Sequence, residues 1–199
     1  MTIPQTLRQM ACIENSTPRL ADSVILVVDA QKEYTEGVLP LSGINESIAA
    51  LAAFLQRARA TRIPIIHIIQ LGKPGGRIMA SDGPFAEIID AVKPLAGEIV
   101  IEKRFPSSFT GTTLHTELEK LGRKDLIITG YMTHMCVNST ARDATEKGYR
   151  CTLVSELTTT RDLPDGHGGV IPAATVKAVN LASLADRFAV VITSADEIV

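Results

Sequence analysis

Three residues of this chain have the types and positions that carbonyl chemistry requires. Asp29 ends the apolar run "SVILVVD", Lys103 ends "EIVIEK", and Cys136 comes a few residues after "DLIITG". A cysteine supplies a nucleophile, an aspartate accepts a proton, and a lysine is a cation that lowers the pKa of acidic neighbours. Taken singly, residues of these types are more often a buried thiol, a turn former and a surface charge. Their common position at strand ends favours an active site.

Cys136 lies in "ITGYMTHMCVNSTARDATEKG", where an apolar run gives way to a helical pattern. This places the thiol in the predicted first turn of a helix, where free N–H groups and the helix dipole favour a thiolate. The same N–H groups can hold an oxyanion formed by attack on a carbonyl. With Asp29 and Lys103 nearby, Cys136 is expected to react with iodoacetamide faster than Cys12 or Cys151.

The elements that must position these residues alternate between short strands and longer helices. The predicted strands are "SVILVVD", "PIIHIIQ", "EIVIEK", "DLIITG", "RCTLVSE" and "FAVVITS". The predicted helices between them are "INESIAALAAFLQRARATR", the short "FAEIIDAV", "TTLHTELEKLG", "MCVNSTARDATEKG" and "IPAATVKAVNLASLA". Near-continuous apolar strands with helical crossovers predict a three-layer α/β fold with an open, doubly wound, six-stranded parallel sheet.

The chain length of 199 residues fits one domain. We expect an N-terminal extension over residues 1–22, packed on the domain or on a partner subunit, and a single domain over residues 23–199. Ligands of such sheets bind beyond the carboxyl ends of the strands, near the point where strand order reverses. The fold is therefore expected to bring Asp29, Lys103 and Cys136 together.

Composition and motifs argue against several other classes of function. The 20 basic and 22 acidic residues are spread without long runs, so neither nucleic acid nor a membrane surface is an expected partner. No stretch is long enough to span a bilayer, and the N-terminus lacks a signal-peptide pattern, which favours a cytoplasmic location. Three widely spaced cysteines predict neither a disulfide framework nor a zinc site. No glycine fingerprint for a nucleotide cofactor follows a strand.

Three segments carry a resemblance to a known family. They are "VVDAQKEY", "EKRFPSSFTGTTL" and "GYMTHMCVNSTARDA". The chain resembles the isochorismatase-like cysteine hydrolases, which include nicotinamidases, N-carbamoylsarcosine amidase, ureidoacrylate amidohydrolase and isochorismatase. The similarity extends from Ser23 to about Ser194. The residues that match the family's motifs are Asp29, Gln31, Lys103, Ser107, Phe109, Thr112, Thr133 and Cys136.

The resemblance implies roles for several of these residues. Asp29 is the implied acid and base, Lys103 its cationic partner, and Cys136 the nucleophile. A cis peptide bond is implied between Tyr131 and Met132, which turns the Met132 N–H toward the site. The N–H groups of Met132 and Cys136 would then form an oxyanion hole. The resemblance also implies a homo-oligomer, a dimer or a tetramer.

A substrate pocket is expected from side chains near the strand ends and from the loops "GKPGGRIMASDGP" and "TTTRDLPDGHGG". The predicted lining residues are Gln31, Tyr34, Phe105, Phe109, Tyr131 and Thr133. Three arginines, Arg77, Arg104 and Arg161, are either carboxylate-binding groups or surface charges.

The sequence departs from the nicotinamidases in its histidines. Nicotinamidases bind a metal through an Asp-x-His cluster that follows the first helix, and this chain has no Asp-x-His in that region, since its one such sequence, Asp165-Gly166-His167, lies far along the chain in "TTTRDLPDGHGG". Neither a metal nor another cofactor is therefore expected. His67, inside "PIIHIIQ", is expected to take a strand-end role in the pocket or to be a hydrogen-bonded core residue. His115 is expected on a helix surface, and His167 in a loop.

The resulting hypothesis is a cofactor-independent cysteine hydrolase acting on a small amide, ureido or related C–N bond through an acyl-thioester. One alternative is an isochorismatase-type vinyl ether hydrolase, whose reaction needs a proton donor but no nucleophile. A non-enzymatic alternative is an oligomeric scaffold or regulatory subunit that retains the fold.

Overall fold

Six parallel strands form the central sheet of the computed structural model, which describes residues 3–199. They are β1 (Ser23–Val28), β2 (Ile65–Gln70), β3 (Ile99–Lys103), β4 (Asp125–Gly130), β5 (Arg150–Val154) and β8 (Ala189–Ile192). The strand order is β3-β2-β1-β4-β5-β8. The two-residue strands β6 (Leu163–Pro164) and β7 (Val170–Ile171) form a separate antiparallel hairpin. All six strands predicted for the sheet are confirmed.

Helices cover both faces of the sheet and give the predicted three layers. The α-helices are α1 (Leu7–Met10), α2 (Ile44–Ala60), α3 (Leu114–Leu121), α4 (Asn138–Glu146) and α5 (Ala173–Arg187). Alternate residues of β1 point to opposite faces. Ile25 and Val27 belong to the core cluster that includes α2, while Leu26 belongs to the cluster that includes α3, α4 and α5. Burial on both faces explains why the strands read as continuous apolar runs.

The segment "FAEIIDAV" is not the short α-helix that the sequence predicts. It contains two single 3₁₀ turns, Pro84–Ala86 and Asp90–Val92, separated by extended backbone. The extended part is bonded to the chain after β1, because Lys32 N–H donates to Glu87 O and Ile89 N–H donates to Ala30 O, both at 2.9 Å. These long-range backbone bonds replace the local bonds that a helix would make, so tertiary structure overrides local propensity.

The N-terminal extension lies against α5. The Leu7 N–H, at the start of α1, donates to Asp186 Oδ1 at 2.8 Å, and Leu20 N–H donates to Val199 O at 2.7 Å. The first two residues of the predicted extension lie outside the described residues. Among residues 3–199, no helix combines the length and the apolar character needed to cross a membrane.

The strand order reverses beside β1. The chain proceeds from β1 outward through β2 to β3, then returns to place β4 on the other side of β1. The carboxyl ends of β1 and β4 therefore border the crevice in which ligands of such sheets bind. Asp29 follows β1 directly, and the segment that carries Cys136 follows β4.

Candidate active site

Asp29 is held rigidly at the end of β1. Its backbone has a φ of 49°, in the left-handed region, and its N–H donates to Ile68 O of β2 at 2.9 Å. The side chain is completely buried. Left-handed backbone is uncommon outside glycine but is tolerated best by Asp and Asn. Asp29 can therefore adopt this conformation at the end of β1, where its carboxylate contacts Lys103.

Lys103 reaches Asp29 across an intervening strand. It is the last residue of β3, and β2 lies between β3 and β1. Because neighbouring strands are about 4.8 Å apart, only a long side chain can span that gap. The Nζ atom lies 2.7 Å from Asp29 Oδ2 and 3.2 Å from Cys136 Sγ, and the lysine side chain is fully buried. Lys103 thus joins the carboxylate and the thiol.

Cys136 lies on a single π-helical turn, Thr133–Val137, that leads directly into α4. The approach to this turn requires Gly130, which has a φ of 96° and where a Cβ would collide with the Val28 carbonyl oxygen. The next peptide bond but one, Tyr131–Met132, is cis, at the position that the family resemblance implied. The predicted first turn of an α-helix is therefore a π-helical turn, a feature that often occurs at functional sites.

One cation is shared by two acidic groups in this cluster. Burial raises the pKa of Asp29, and the charge of Lys103 opposes that rise. Burial, followed by the charge of Asp29, raises the pKa of the Cys136 thiol to about 12. Neither carboxylate oxygen of Asp29 has a hydrogen-bond partner among the described residues, although Oδ2 forms a 2.7 Å ion pair with Lys103 Nζ. The ion pair with Lys103 favours a carboxylate at Asp29, and the raised pKa of Cys136 favours a neutral thiol, so Asp29 is placed to accept the thiol proton.

The raised pKa corrects the expectation that Cys136 is an acidic thiol at rest. The prediction took Asp29, Lys103 and the helix terminus all to lower the pKa of the thiol, whereas burial and the charge of Asp29 raise that pKa by more than Lys103 lowers it. Transfer of the thiol proton to Asp29 would leave the net charge of the cluster unchanged. Loss of the proton to solvent would leave two buried anions beside one cation.

Alkylation of the folded protein should follow this correction. At pH 7.5, iodoacetamide is expected to label Cys12 before Cys136 or Cys151, because Cys12 is exposed and the other two are buried thiols with a pKa of about 12. Peptide mapping by mass spectrometry over time measures the order. Labelling of Cys136 ahead of Cys12 would contradict the resting charge state given above.

Tyr34 and Tyr131 form an edge-to-face pair, with ring centroids 5.9 Å apart. Tyr34 lies close enough to the cluster that burial, followed by the charge of Asp29, raises its pKa well above the usual value. Tyr131 is completely buried and its hydroxyl donates to Ser47 Oγ at 3.2 Å. Tyr34 therefore remains a candidate lining residue, whereas Tyr131 supports the turn from within the core.

Gln31 and Thr133 were predicted to line the pocket, but their side chains are bonded within the fold. The Gln31 amide nitrogen donates to Gln70 O and Ala86 O, and its oxygen accepts the Gln70 N–H. The Thr133 hydroxyl shares a 2.8 Å hydrogen bond with the Thr158 hydroxyl, and the Thr133 N–H donates to the carbonyl oxygen of Thr159. Both residues hold the segments that carry the site.

The two predicted phenylalanines differ in position. Phe109 is buried in the core, where its ring stacks on Tyr149 at 5.9 Å, so it does not serve as the expected pocket wall. Phe105 is 56% exposed, and its backbone carbonyl accepts a 3.2 Å hydrogen bond from Lys103 Nζ. Phe105 and Tyr34 are thus the predicted lining residues that remain candidates.

Gln70 is the site residue that the sequence analysis missed. It is the last residue of β2, and its Oε1 accepts a 2.7 Å hydrogen bond from Lys103 Nζ. The signal was present, because "PIIHIIQ" ends on a polar residue just as the neighbouring strands end on Asp29 and Lys103. The same strand-end criterion that selected those two residues also selects Gln70.

The histidines and arginines considered in the sequence analysis are bonded to other residues or are exposed. His67 is buried and its Nε2 lies 2.9 Å from Glu98 Oε2, so the core alternative for this residue is correct. His115 bonds to Tyr149 on the α3 surface. Arg77 and Arg104 are exposed and Arg161 is half-buried. Within residues 3–199, no group of three His, Cys, Asp or Glu side chains is placed to hold a metal.

Known proteins resemble this chain in both sequence and fold. A family profile described as the isochorismatase domain matches residues 23–196. A crystal structure of an isochorismatase from Pseudomonas putida KT2440 superposes with a TM-score of 0.93 at 43% identity, covering 99% of this chain and all of that one.

Two sequence relatives carry more specific names. The secreted isochorismatase effector Isc1 of Verticillium dahliae is 37% identical over 191 residues, which is 96% of this chain and 98% of that protein. A ureidoacrylate amidohydrolase of Variovorax paradoxus is 27% identical over 173 residues, covering 69% of each chain. The profile match spans most of the chain and the Verticillium protein is similar along nearly its whole length. The chain therefore belongs to the isochorismatase family of hydrolases.

Proposed function

We propose that this chain is a cysteine hydrolase that cleaves a small amide, ureido or related C–N bond through an acyl-thioester on Cys136. The observation that carries the proposal is the contact of one buried ammonium, Lys103 Nζ, with both Asp29 Oδ2 and Cys136 Sγ. A nucleophile, a proton acceptor and a cation within contact distance are the parts that covalent acyl transfer needs. The similarity to a ureidoacrylate amidohydrolase supports the C–N bond class.

In the first half-reaction, the Cys136 proton passes to Asp29 as the sulfur attacks the carbonyl carbon. A C–S bond forms, and the carbonyl π electrons move onto oxygen. When the tetrahedral intermediate collapses, the C–N bond breaks, and the leaving nitrogen takes the proton from Asp29. Lys103 remains an ammonium throughout and balances whichever of the two acidic groups carries the negative charge.

The oxyanion of that intermediate needs hydrogen-bond donors. We assign this role to the backbone N–H groups of Met132, which precedes the π-helical turn, and of Cys136, which lies within it. The hydrogen bonds from Thr133 to Thr158 and Thr159, in the loop after β5, support the assignment, because they hold the backbone at this point. Preorganised N–H donors of this kind contribute several kcal/mol to acyl transfer, about 3 to 4 for one donor.

In the second half-reaction, water enters after the amine leaves. Asp29, now deprotonated, accepts a proton from the water as its oxygen attacks the thioester carbon. The second tetrahedral intermediate expels the Cys136 sulfur, which recovers the proton from Asp29, and a carboxylic acid is released. Atoms and charge balance over the cycle, so no other co-reactant is needed.

The access to the thiol favours a small substrate. Cys136 is 6% exposed, and Asp29 and Lys103 are fully buried. Only a narrow group can reach the sulfur, and the aromatic side chains of Tyr34 and Phe105 are the candidates for contact with it. A screen of small primary amides and ureides, measured by ammonia release, tests the substrate class directly. Ammonia release from none of them would count against the proposal.

A second candidate function is vinyl ether cleavage of the isochorismatase type. The observation in its favour is that the most similar solved structure and sequence relative reported above are both called isochorismatases. In that reaction Asp29 would protonate the substrate, and Cys136 would form no covalent bond. The scaffold alternative loses its support, because the chain belongs to a family of hydrolases and keeps Asp29, Lys103 and Cys136 in contact.

Chelation should leave the proposed activity intact. The reaction sequence above uses Asp29, Lys103, Cys136 and water, and the chain's one Asp-x-His sequence, Asp165-Gly166-His167, lies in an exposed loop. Turnover of an identified amide is therefore expected to change by less than about twofold after incubation with EDTA, since no step depends on a Lewis acid. Activity lost on chelation and regained with Zn²⁺ or Mn²⁺ would show that a metal takes part.

A further inference from the structure

Glu33 is a buried carboxyl group that the proposed reaction does not use. It lies on the 3₁₀ turn Lys32–Tyr34 and is 2% exposed. Its Oε1 accepts the Val38 N–H at 2.7 Å, and its Oε2 accepts the Met79 N–H at 3.0 Å. Because an unbonded carboxyl group is costly to bury, these two hydrogen bonds account for its position in the fold. Glu33 thus connects the turn that carries Tyr34 with Met79.

The Met79 N–H belongs to a loop that starts beside the catalytic cluster. We call this segment, residues 73–83, the 73–83 loop. It follows β2, whose last residue, Gln70, accepts a 2.7 Å hydrogen bond from Lys103 Nζ. The loop is closed at its base by the Gly72 N–H, which donates to Met79 O at 2.6 Å. The start of the 73–83 loop therefore lies close to the cluster.

Within residues 3–199, one hydrogen bond joins the 73–83 loop to a distant part of the chain. It is the bond from the Met79 N–H to Glu33 Oε2. The other hydrogen bonds of the loop are local, such as that from the Gly75 N–H to Asp82 Oδ1 at 2.8 Å. Residues 73–78 are exposed, whereas Met79 is buried. A surface loop with a single long-range hydrogen bond is expected to open more readily when that bond is removed.

We propose that Glu33 is a positioning residue that holds the 73–83 loop beside the entrance to Cys136, and thereby limits the size of the molecule that reaches the sulfur. The loop begins next to a residue that contacts Lys103, and it is fastened next to Tyr34, a candidate lining residue of the pocket. Glu33 touches no reacting atom and acts through the loop. The inference rests on the proposed function in that Cys136 is the nucleophile.

Removing the carboxyl oxygens should release the loop. In Glu33→Met, a side chain of similar length lacks both oxygens, so trypsin is expected to cleave the folded protein after the exposed Arg77 at least about tenfold faster. Glu33→Gln keeps one strong acceptor and should give an intermediate rate. Glu36 is exposed on the same segment, so Glu36→Met is the matched control and should be cleaved at the wild-type rate.

Two thiol reagents of different size measure the entrance to Cys136. The variants are labelled with iodoacetamide or with pyrenyl maleimide, and the labelled peptides are quantified by mass spectrometry. In Glu33→Met, the ratio of the maleimide rate to the iodoacetamide rate at Cys136 is expected to rise about tenfold. A change in the acidity of the thiol affects both reagents similarly and leaves the ratio unchanged. Cys151, buried on β5, should keep its wild-type labelling rates.

Three results would overturn the proposal. Faster labelling of Cys136 and Cys151 together, with a lower melting temperature, would mean that Glu33 acts in folding alone. Faster cleavage after Arg77 with an unchanged reagent ratio would mean that the loop does not border the entrance. The third comes from amide hydrogen exchange of the native protein, which needs no variant to fold. The Met79 N–H should exchange more slowly than that of Arg77, and equally fast exchange would refute the anchor.

These experiments do not depend on turnover, so the two proposals fail separately. A raised reagent ratio with no amide hydrolysed would support the role of Glu33 and refute the amide hydrolase. An unchanged ratio together with hydroxamate-forming turnover would do the reverse.

Discussion

Replacing Cys136 by alanine is expected to lower turnover of an amide or ureide substrate by at least about 1,000-fold. The sulfur forms the covalent bond in both half-reactions, and no other nucleophile is in contact with Lys103 and Asp29 among the described residues. Cys136→Ser is expected to be nearly as damaging. A hydroxyl is much harder to ionise than a thiol beside the same aspartate and lysine, so the alkoxide is not formed at a useful rate.

Cys151→Ala provides the matched control for this prediction. Cys151 is also a buried thiol, but it lies on β5 and bonds to Ala141 O and Thr145 rather than to the cluster. Its replacement is expected to change turnover by less than about threefold, since it removes only a small buried group. Near wild-type turnover of the native substrate by Cys136→Ala would end the cysteine hydrolase account. The vinyl ether alternative predicts near wild-type turnover by Cys136→Ala when isochorismate is the substrate.

Asp29→Asn is expected to lower both the turnover of the enzyme and the pKa of the Cys136 thiol. Turnover should fall by about 100- to 10,000-fold, because the amide cannot take the thiol proton or return it to the leaving nitrogen. The pKa of Cys136 should fall at the same time. In the native protein the Asp29 charge raises that pKa, and Lys103 lowers it. Removing the carboxylate takes away the negative charge that opposes ionisation of the thiol, while the hydrogen bond from Lys103 to the sulfur remains.

The thiolate absorbance near 240 nm, followed from pH 6 to 11, measures this shift. The Asp29→Asn protein should show the thiolate at lower pH than the native protein, while its turnover is lost. Asp22→Asn, on an exposed side chain, should change neither quantity. A Cys136 pKa that rises in Asp29→Asn would contradict the charge state proposed for the cluster, since it would mean that the carboxylate stabilises the thiolate.

The parts of this structure that could be read from the sequence are those set by strand periodicity. Apolar runs gave all six strands of the sheet, and the polar residues that end them gave Asp29 and Lys103. These predictions succeed because parallel strands buried on both faces leave few alternatives for a run such as "SVILVVD". Gln70 could have been predicted in the same way, because it is the polar residue that ends the apolar run "PIIHIIQ".

The parts that could not be read depend on long-range contacts. Gln31, Phe109, Tyr131 and Thr133 lie next to the site along the chain, but their side chains are directed into the fold by partners distant in sequence. Sequence position does not specify which way such a side chain points. The acidity of Cys136 was misjudged for a related reason, because burial is a property of the folded chain, and it outweighs the nearby cation.

The central claim is that Cys136 carries the acyl group, and trapping that intermediate tests it most directly. A turned-over amide is mixed with the enzyme, quenched in acid within milliseconds, and the protein is digested and mapped by mass spectrometry. The account predicts the mass of the acyl group on the peptide that contains Cys136, none on the peptides of Cys12 or Cys151, and a hydroxamate product when hydroxylamine competes with water. Steady turnover without an adduct on Cys136 and without hydroxamate would contradict it.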